Sequence, residues 1–396
     1  MTTDPDPPVR HPVLLLLAGA KGAIASTLAV AVAACRATPE TVIPSLTTRD
    51  KFAFLAAAEE TQIAGWDKDP QTLTESALCQ GIVPESVCRH HADRLERIMV
   101  KPAPEENLRD QVERLTADIR EFRKAHAGCL PVMINLLPAA PPVALDGCKN
   151  VAEVFEIAGN RSLPDLAYAL AAVMSDVPVV NFTPNAVEIP ALIAEALKRN
   201  VPLCGRDGKT GQTYLKVVLA SALKARCFTI DGWYSLNILG NADGKNLMEP
   251  RRAAGKVANK TDLLDDILGY TVGGRYGAPT HKVHIDYYPP RGDAKEAWDV
   301  IDFRGLFDLP MSIRLNLQGR DSIMAAPMAL DLGRWLAALQ LTGFGGPVPE
   351  LGFFFKRPVG DRAPLTFAEQ LNSLAVLEHR CKKLPPSSMP AAGERP

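Results

Sequence analysis

The eight cysteines include no C-x-x-C and no close pair. That removes the signatures of a disulfide framework and of a cysteine zinc site, and it fits a reducing compartment. An excess charge of one sign is lacking too. Lys and Arg number 44 against 45 Asp and Glu, a formal net charge of −1, which gives no basis for a general nucleic-acid or acidic-membrane binder. Any anionic ligand must then be caught by a local cluster of cations. Histidine clusters are limited to His90-His91 and His281-x-x-His284. The first reads as part of a solvated helix; on a strand, positions 281 and 284 face opposite sides and make a poor metal pair. Long apolar runs are scarce. Only 13–35 has the length of a signal peptide or membrane span, and Lys21 interrupts it among Gly19, Ala20, Gly22 and Ala23. A strand, a tight turn and a buried helix explain it better. The expectation is a cytoplasmic protein with neither a membrane nor a nucleic acid as partner.

What is present is a chain of 396 residues, 47% apolar and 22% charged, enough for a substantial core and two intertwined domains. Residues 1–12 and 384–396 are proline-rich and without periodicity, and both ends are expected to be disordered. The run 13–17 suits a buried parallel strand. The turn Gly19-Ala20-Lys21-Gly22-Ala23 then opens an alanine-rich helix, a shortened dinucleotide turn whose helix start could meet a pyrophosphate. Turns of this kind also occur with no ligand.

The segment 41–47 reads as the second strand, ending in Thr47, Thr48 and Arg49 where a ribose-binding acid is usual. Gly65-Trp66-Asp67 reads as a loop, Trp66 being a packing residue in the plainer reading. Residues 105–124 form a surface helix, and 130–137 a buried strand with Asn135 near its end, where ligands of open α/β sheets gather. Helices over 163–174 and 190–199 alternate with strands over 177–182 and 202–204, so the first half predicts a parallel sheet with helices on both faces. Strands at 228–230, 271–272, 281–288 and 311–316 predict a second, mixed sheet with one face open to another subunit. A densely apolar helix over 321–341 returns to the first domain.

The polar chemistry gathers between 205 and 320. G-R-D-G-K-T-G-Q-T at 205–213 follows a short strand and precedes an apolar run. A helix starting there turns the N–H groups of Thr210, Gly211, Gln212 and Thr213 towards an anion, with Lys209 adding charge; a plain capped helix is the alternative. The likeness to a nucleotide P-loop is incomplete, because its first glycine would fall on Leu203, so a phosphate monoester is preferred to ATP. Lys256 and Lys260 share a helix face or simply solvate it beside Asp262, Asp265 and Asp266. Asp293 and Lys295 lie just past Gly292, and Lys356 ends an aromatic run whose apolar setting could lower its pKa.

In order and combination these motifs resemble the 1L-myo-inositol-1-phosphate synthase family along nearly the whole chain. The 205–213 segment is similar to G-T-D-x-K-S-G-Q-T. S-L-N-I-L-G-N-A-D-G at 235–244 is similar to S-Y-N-x-L-G-N-N-D-G, and K-V-A-N-K at 256–260 to K-x-x-S-K. G-D-A-K at 292–295 is similar to G-D-S-K, G-W-D at 65–67 matches, and F-K-R-P at 355–358 is similar to F-K-x-P.

The resemblance implies an α/β fold: a Rossmann-like domain over 1–212, an inserted α+β catalytic and oligomerisation domain over 213–320, and a C-terminal segment over 321–383 that completes the first. It implies isomerising cyclisation of glucose 6-phosphate to a myo-inositol phosphate: NAD takes hydride from C5, the C6 enolate attacks C1, and the hydride returns. Lys256, Lys295 and Lys356, with Asp207 and Asp243 in support, would serve the reacting centres. Lys209, Thr210, Gly211, Gln212, Thr213, Lys260 and Asn237 would hold the phosphorylated substrate. Gly19, Ala20, Lys21, Gly22, Ala23, Asp67, Asn135, Asp293, Asp321 and Ser322 would contact NAD. A divalent or monovalent cation is a further candidate cofactor with no ligands assigned, and a homotetramer is the implied assembly. The departures are the shortened glycine turn, Asn135-Leu-Leu-Pro-Ala139 in place of a Thr/Ser-rich strand end, and Ala242 in place of asparagine. A different sugar phosphate, or a non-catalytic binder of NAD or sugar phosphate, are the alternatives.

Overall fold

The computed structural model describes residues 10–38, 43–47, 54–249 and 263–382. Two sheets organise it. The first has seven strands: β1 (Val13–Ala18), β2 (Gln62–Asp67), β3 (Met99–Pro102), β4 (Leu130–Asn135), β5 (Val179–Asn181), β6 (Pro202–Gly205) and the short β11 (Gly346–Pro347). Their order is β11-β6-β5-β4-β1-β2-β3, and every pairing is parallel. From β3 across to β6 this is the 3-2-1-4-5-6 order of the doubly wound dinucleotide fold, whose switch point lies between β1 and β4.

Packing explains the element choice. All six β1 residues are buried, because β1 is sandwiched between β2 and β4 and covered on both faces. On one face the helices Ala23–Ala37 and Asp321–Leu341 pack together, joining Leu28, Leu330, Trp335 and Leu336 to Leu15 and Leu17. On the other, the helices Leu108–Ala125 and Pro164–Met174 bring Leu115, Ile119, Phe122 and Leu170 onto Leu14 and Leu16. The helix Leu108–Ala125 buries positions 108, 112, 115, 119 and 122, the spacing of a single apolar stripe. The helix Asp321–Leu341 is buried continuously from Ala329 to Leu339. Its dense apolar pattern is that of a helix enclosed by the first sheet, to which the C-terminal segment also adds β11.

The second sheet has the order β10-β9-β7-β8, from β7 (Thr229–Leu239), β8 (His281–Tyr287), β9 (Ala294–Arg304) and β10 (Pro310–Arg320). The β7–β8 pairing is parallel; β7–β9 and β9–β10 are antiparallel. One face lies under the helix Gln212–Ala225 and the helical stretch 263–268, where Val217, Ala220, Trp233, Ile267 and Ile301 form a third cluster. The other face leaves Tyr234 and Trp298 exposed.

Several expectations need correction. The described part of 41–47 is no strand. Leu46 and Thr47 give their backbone N–H groups to Asp331 at 2.9 and 2.7 Å, and Thr47 adds its hydroxyl at 2.6 Å; the segment caps a buried carboxylate instead of pairing. The second strand is Gln62–Asp67, so Gly65-Trp66-Asp67 is strand and not loop. A Cβ on Gly65 would fall well inside contact distance of the Leu17 carbonyl oxygen, so the residue that weakens the strand signal is the one β1 requires there. Residues 271–272 form no strand, while β9 escaped notice altogether. Residues 10–12 are ordered: His11 bridges Leu55. His91 is buried rather than solvated.

Candidate functional site

At the carboxyl end of β1 the chain bends through Gly19, whose φ of +82° favours glycine. The N–H groups of Gly19 and Ala20 both reach the Trp66 carbonyl at 3.0 Å. Gly22 caps the helix Ala23–Ala37 with no side chain, so the first-turn N–H groups lack an intrahelical acceptor. Asp67 ends β2 beside this turn. Its carboxylate accepts from the Lys21 N–H at 2.8 Å and the Asp69 N–H at 2.9 Å, while the Lys21 ammonium donates to the Asp69 carbonyl. An uncapped helix start behind a bare glycine turn, with an acid at the neighbouring strand end, fits a dinucleotide.

After β6, residues 206–209 run against 354–357. The Arg206 N–H reaches the Arg357 carbonyl, that of Lys356 the Asp207 carbonyl and that of Lys209 the Phe354 carbonyl, each at 2.8 Å. This ladder sets Lys356 over Asp207, Nζ to Oδ1 2.5 Å, both buried. Lys209 turns the other way. Its ammonium donates to the Gly352 carbonyl at 3.1 Å and to Gln370 Oε1 at 2.9 Å. Burial, with the nearby charge of Lys356, pulls it down to about 7. Expected to hold phosphate, Lys209 instead ties the turn to the C-terminal segment, in surroundings that disfavour its charge.

The second sheet contributes through strand parity. On β7, Trp233, Ser235, Asn237 and Leu239 share the buried face, as Ala297 and Asp299 do on β9. Lys295, at the start of β9, lies 3.1 Å from Asp321 Oδ2, and Thr210 donates to Asp321 Oδ1 at 2.9 Å. Asp321 begins its helix, where the helix dipole favours a carboxylate. Neither polar atom of the buried Asn237 side chain has a hydrogen-bond partner among the described residues.

These pieces enclose one cavity of about 320 Å³. Gly19, Gly22 and Ala23 line one part of it; Thr210, Gly211, Gln212, Thr213 and Asn237 also line it, as do Asp207, Lys295, Asp321, Ser322 and Lys356. Ala20, Lys21, Asp67, Asn135, Lys209 and Asp293 are not among the lining residues. Asn135 instead donates to Asp165 at 2.8 Å and accepts from the Leu137 N–H, shaping the wall loop from below. Asp293 accepts from Ser322 at 2.8 Å, and burial raises its carboxyl above the usual range. Lys256 and Lys260 lie outside the described residues, as does the side chain of Asp243.

His281 and His284 do face opposite sides of β8: His281 is buried with Nε2 2.6 Å from the Lys216 ammonium, and His284 faces out against Tyr234. Thr183, Asn241 and the apolar wall of Leu136 and Leu137 also line the cavity without having been singled out. The strand-end rule that selected Asn135 also covers Thr183, which follows β5. No helix among the described residues is long and apolar enough to cross a membrane.

The family model for myo-inositol-1-phosphate synthase matches residues 211–322. The chain is 34% identical over 385 residues to inositol-3-phosphate synthase 1 of Bacteroides thetaiotaomicron, covering 88% of this chain and 89% of that protein. To the mouse inositol-3-phosphate synthase 1 it is 29% identical, covering 70% of this chain and 54% of that one. The crystal structure of inositol-3-phosphate synthase from Caenorhabditis elegans has the same fold, with a TM-score of 0.82 at 21% identity over 97% of this chain and 90% of that one. A myo-inositol-1-phosphate synthase-related protein from Thermotoga maritima gives 0.74 at 20% identity, covering 94% and 99%.

Proposed function

This chain belongs to the inositol-3-phosphate synthase family, and we propose that it cyclises glucose 6-phosphate to a myo-inositol phosphate. The route is oxidation at C5, closure between C6 and C1, and reduction at C5. The observation that carries this reading is one cavity that joins the glycine turn at Gly19–Gly22 to the helix start at 210–213 and to the ammonium groups of Lys295 and Lys356. A sugar phosphate and a dinucleotide bound there would share one space.

NAD, when bound, would supply a hydride acceptor at C5 and later return that hydride. Gly19, Gly22 and Ala23 would hold its pyrophosphate, with Asp67 at the ribose end and Asp321 and Ser322 on the opposite wall. The N–H groups at 210–213 and the side chain of Asn237 would take the phosphorylated substrate. Lys295 and Lys356 would face the oxyanions that develop when C6 loses its proton and C1 is attacked. A fixed ammonium stabilises such charge most strongly in a water-poor site. Asp321 and Asp207 hold those ammonium groups in place between turnovers. Lys256 and Lys260 remain assigned by motif alone. The domain boundaries at 212, 320 and 383, a homotetramer and a cytoplasmic setting belong to the same proposal.

The experiment is purified protein with glucose 6-phosphate and catalytic NAD, scored for inositol phosphate. The apolar wall of Leu136 and Leu137 favours a second reading, in which a different sugar phosphate is the substrate. NAD-dependent turnover of another sugar phosphate, with none of glucose 6-phosphate, would select it.

A further inference from the structure

Beneath the helix start at Gln212 lies a buried polar chain that the proposed reaction does not use. Asp299 stands opposite Ser235 in the β7–β9 ladder and is 3% exposed. Its Oδ1 accepts from the Trp233 indole N–H at 2.7 Å and from the Ser235 hydroxyl. Its Oδ2 accepts from Gln212 Nε2 at 2.9 Å. Lys216 Nζ donates to Ser235 Oγ at 3.3 Å, placing a buried ammonium behind the carboxylate.

An ionised carboxylate only accepts, so the Gln212 amide must turn its NH₂ towards Asp299. Its carbonyl oxygen has no hydrogen-bond partner among the described residues, yet it is not one of the solvent-sealed, unpaired polar atoms. It is therefore open to the cavity that Gln212 lines.

We propose that Asp299 is a positioning residue that fixes the polarity of Gln212, so that Gln212 presents an acceptor and reads a substrate hydroxyl, not its phosphate. The inference rests on the sugar-phosphate reading above and deepens it: the backbone at 210–213 takes the phosphate, while the Gln212 side chain selects the polyol attached to it. A phosphate oxygen facing the Gln212 carbonyl would be repelled; a hydroxyl would donate to it.

Asp299→Asn inverts the arrangement. Trp233 and Ser235 keep the amide oxygen on their side, because the indole N–H can only donate. The new NH₂ then faces Gln212, which must turn its own NH₂ into the cavity. Gln212→Leu removes the acceptor outright. The test is calorimetric binding of D-glucitol 6-phosphate, which has no aldehyde to cyclise, compared with inorganic phosphate and NAD.

Each variant is expected to weaken glucitol 6-phosphate about tenfold, the size of one lost hydrogen bond, and to leave phosphate and NAD affinities within about twofold. Equal losses for all three ligands would mark a merely structural role and overturn the inference. So would no loss for any of them, or no binding of glucitol 6-phosphate to the unaltered protein. If Asp299→Asn does not fold because it strands the Lys216 charge, Lys216→Met/Asp299→Asn removes both charges and carries the same test. Inositol phosphate formation with unchanged selectivity sinks this inference alone; altered selectivity without product sinks the cyclase reading alone.

Discussion

Lys295 and Lys356 reach the cavity from different sheets, and each arrives with a carboxylate partner, Asp321 or Asp207. Removing a fixed charge from a developing oxyanion costs about 10²–10³-fold in rate. Lys295→Ala should therefore lower kcat by at least about a hundredfold while NAD still binds, as measured by turnover beside a cofactor titration. Full activity in that variant would contradict the assigned role. Lys209 gives a different prediction. Its folded pKa of about 7 lies below the ordinary lysine value of 10.5, so the unfolded chain holds more protons between these values. Stability should then rise with pH through that window, by at most about 1.4 kcal/mol per pH unit. Below about 7 the full cost of burying the ammonium is present. Thermal unfolding from pH 6.5 to 9 should show the rise, and Lys209→Met should lessen it, most clearly between about 7 and 8, below the value of about 8 to which burial lowers Lys216. An identical profile in the variant would refute the burial argument.

Among the elements, β2 carries the sharpest test. Gly65 has no room for a Cβ against the Leu17 carbonyl and Ala20. Gly65→Ala should destabilise the protein by about 1–3 kcal/mol, as overpacking does, and weaken NAD binding by moving the turn that Trp66 anchors. Gly147→Ala, where an added Cβ meets nothing within 4 Å, is the control and should change neither. The same strand shows how far elements were legible. β1, β4 and the helix Asp321–Leu341 announce themselves by apolar runs that burial on all sides demands. β2 did not, because its glycine answers to β1 rather than to its own periodicity. In 43–47 the strand pattern misleads because Thr47, a β-branched residue suited to a strand, gives its N–H and hydroxyl to Asp331. β9 was missed because its buried face interleaves Lys295 and Asp299 with Ala297 and Ile301, and the polar pair hides the alternation.

At the scale of the whole molecule, the first sheet is enclosed and the second is not. Leu306 and Phe307, between β9 and β10, are 77% and 83% exposed, with Leu309 and Met311 beside them. Apolar surface of this kind marks an interaction site, which agrees with the proposed homo-oligomer. Light scattering should find an assembly, and Leu306→Asp/Phe307→Ser should shift it to a smaller species; a monomeric unaltered protein would contradict this. The order of motifs carried the family, and strand-end and helix-start rules carried much of the cavity lining. What spacing could not supply was convergence. Lys209 and Asn135 stand in motif positions yet turn from the cavity, while Asp299 shapes it from outside any motif, because only the packed sheets decide which way a side chain faces.

The central claim is that cofactor and sugar share one site, so that a hydride removed at C5 returns to the same molecule. Turnover of glucose 6-phosphate carrying deuterium at C5, with a trace of NAD, tests it most directly. The account predicts inositol phosphate that retains the deuterium at the corresponding carbon, with no accumulation of NADH. Product without deuterium, or NADH rising in step with substrate consumed, would contradict it.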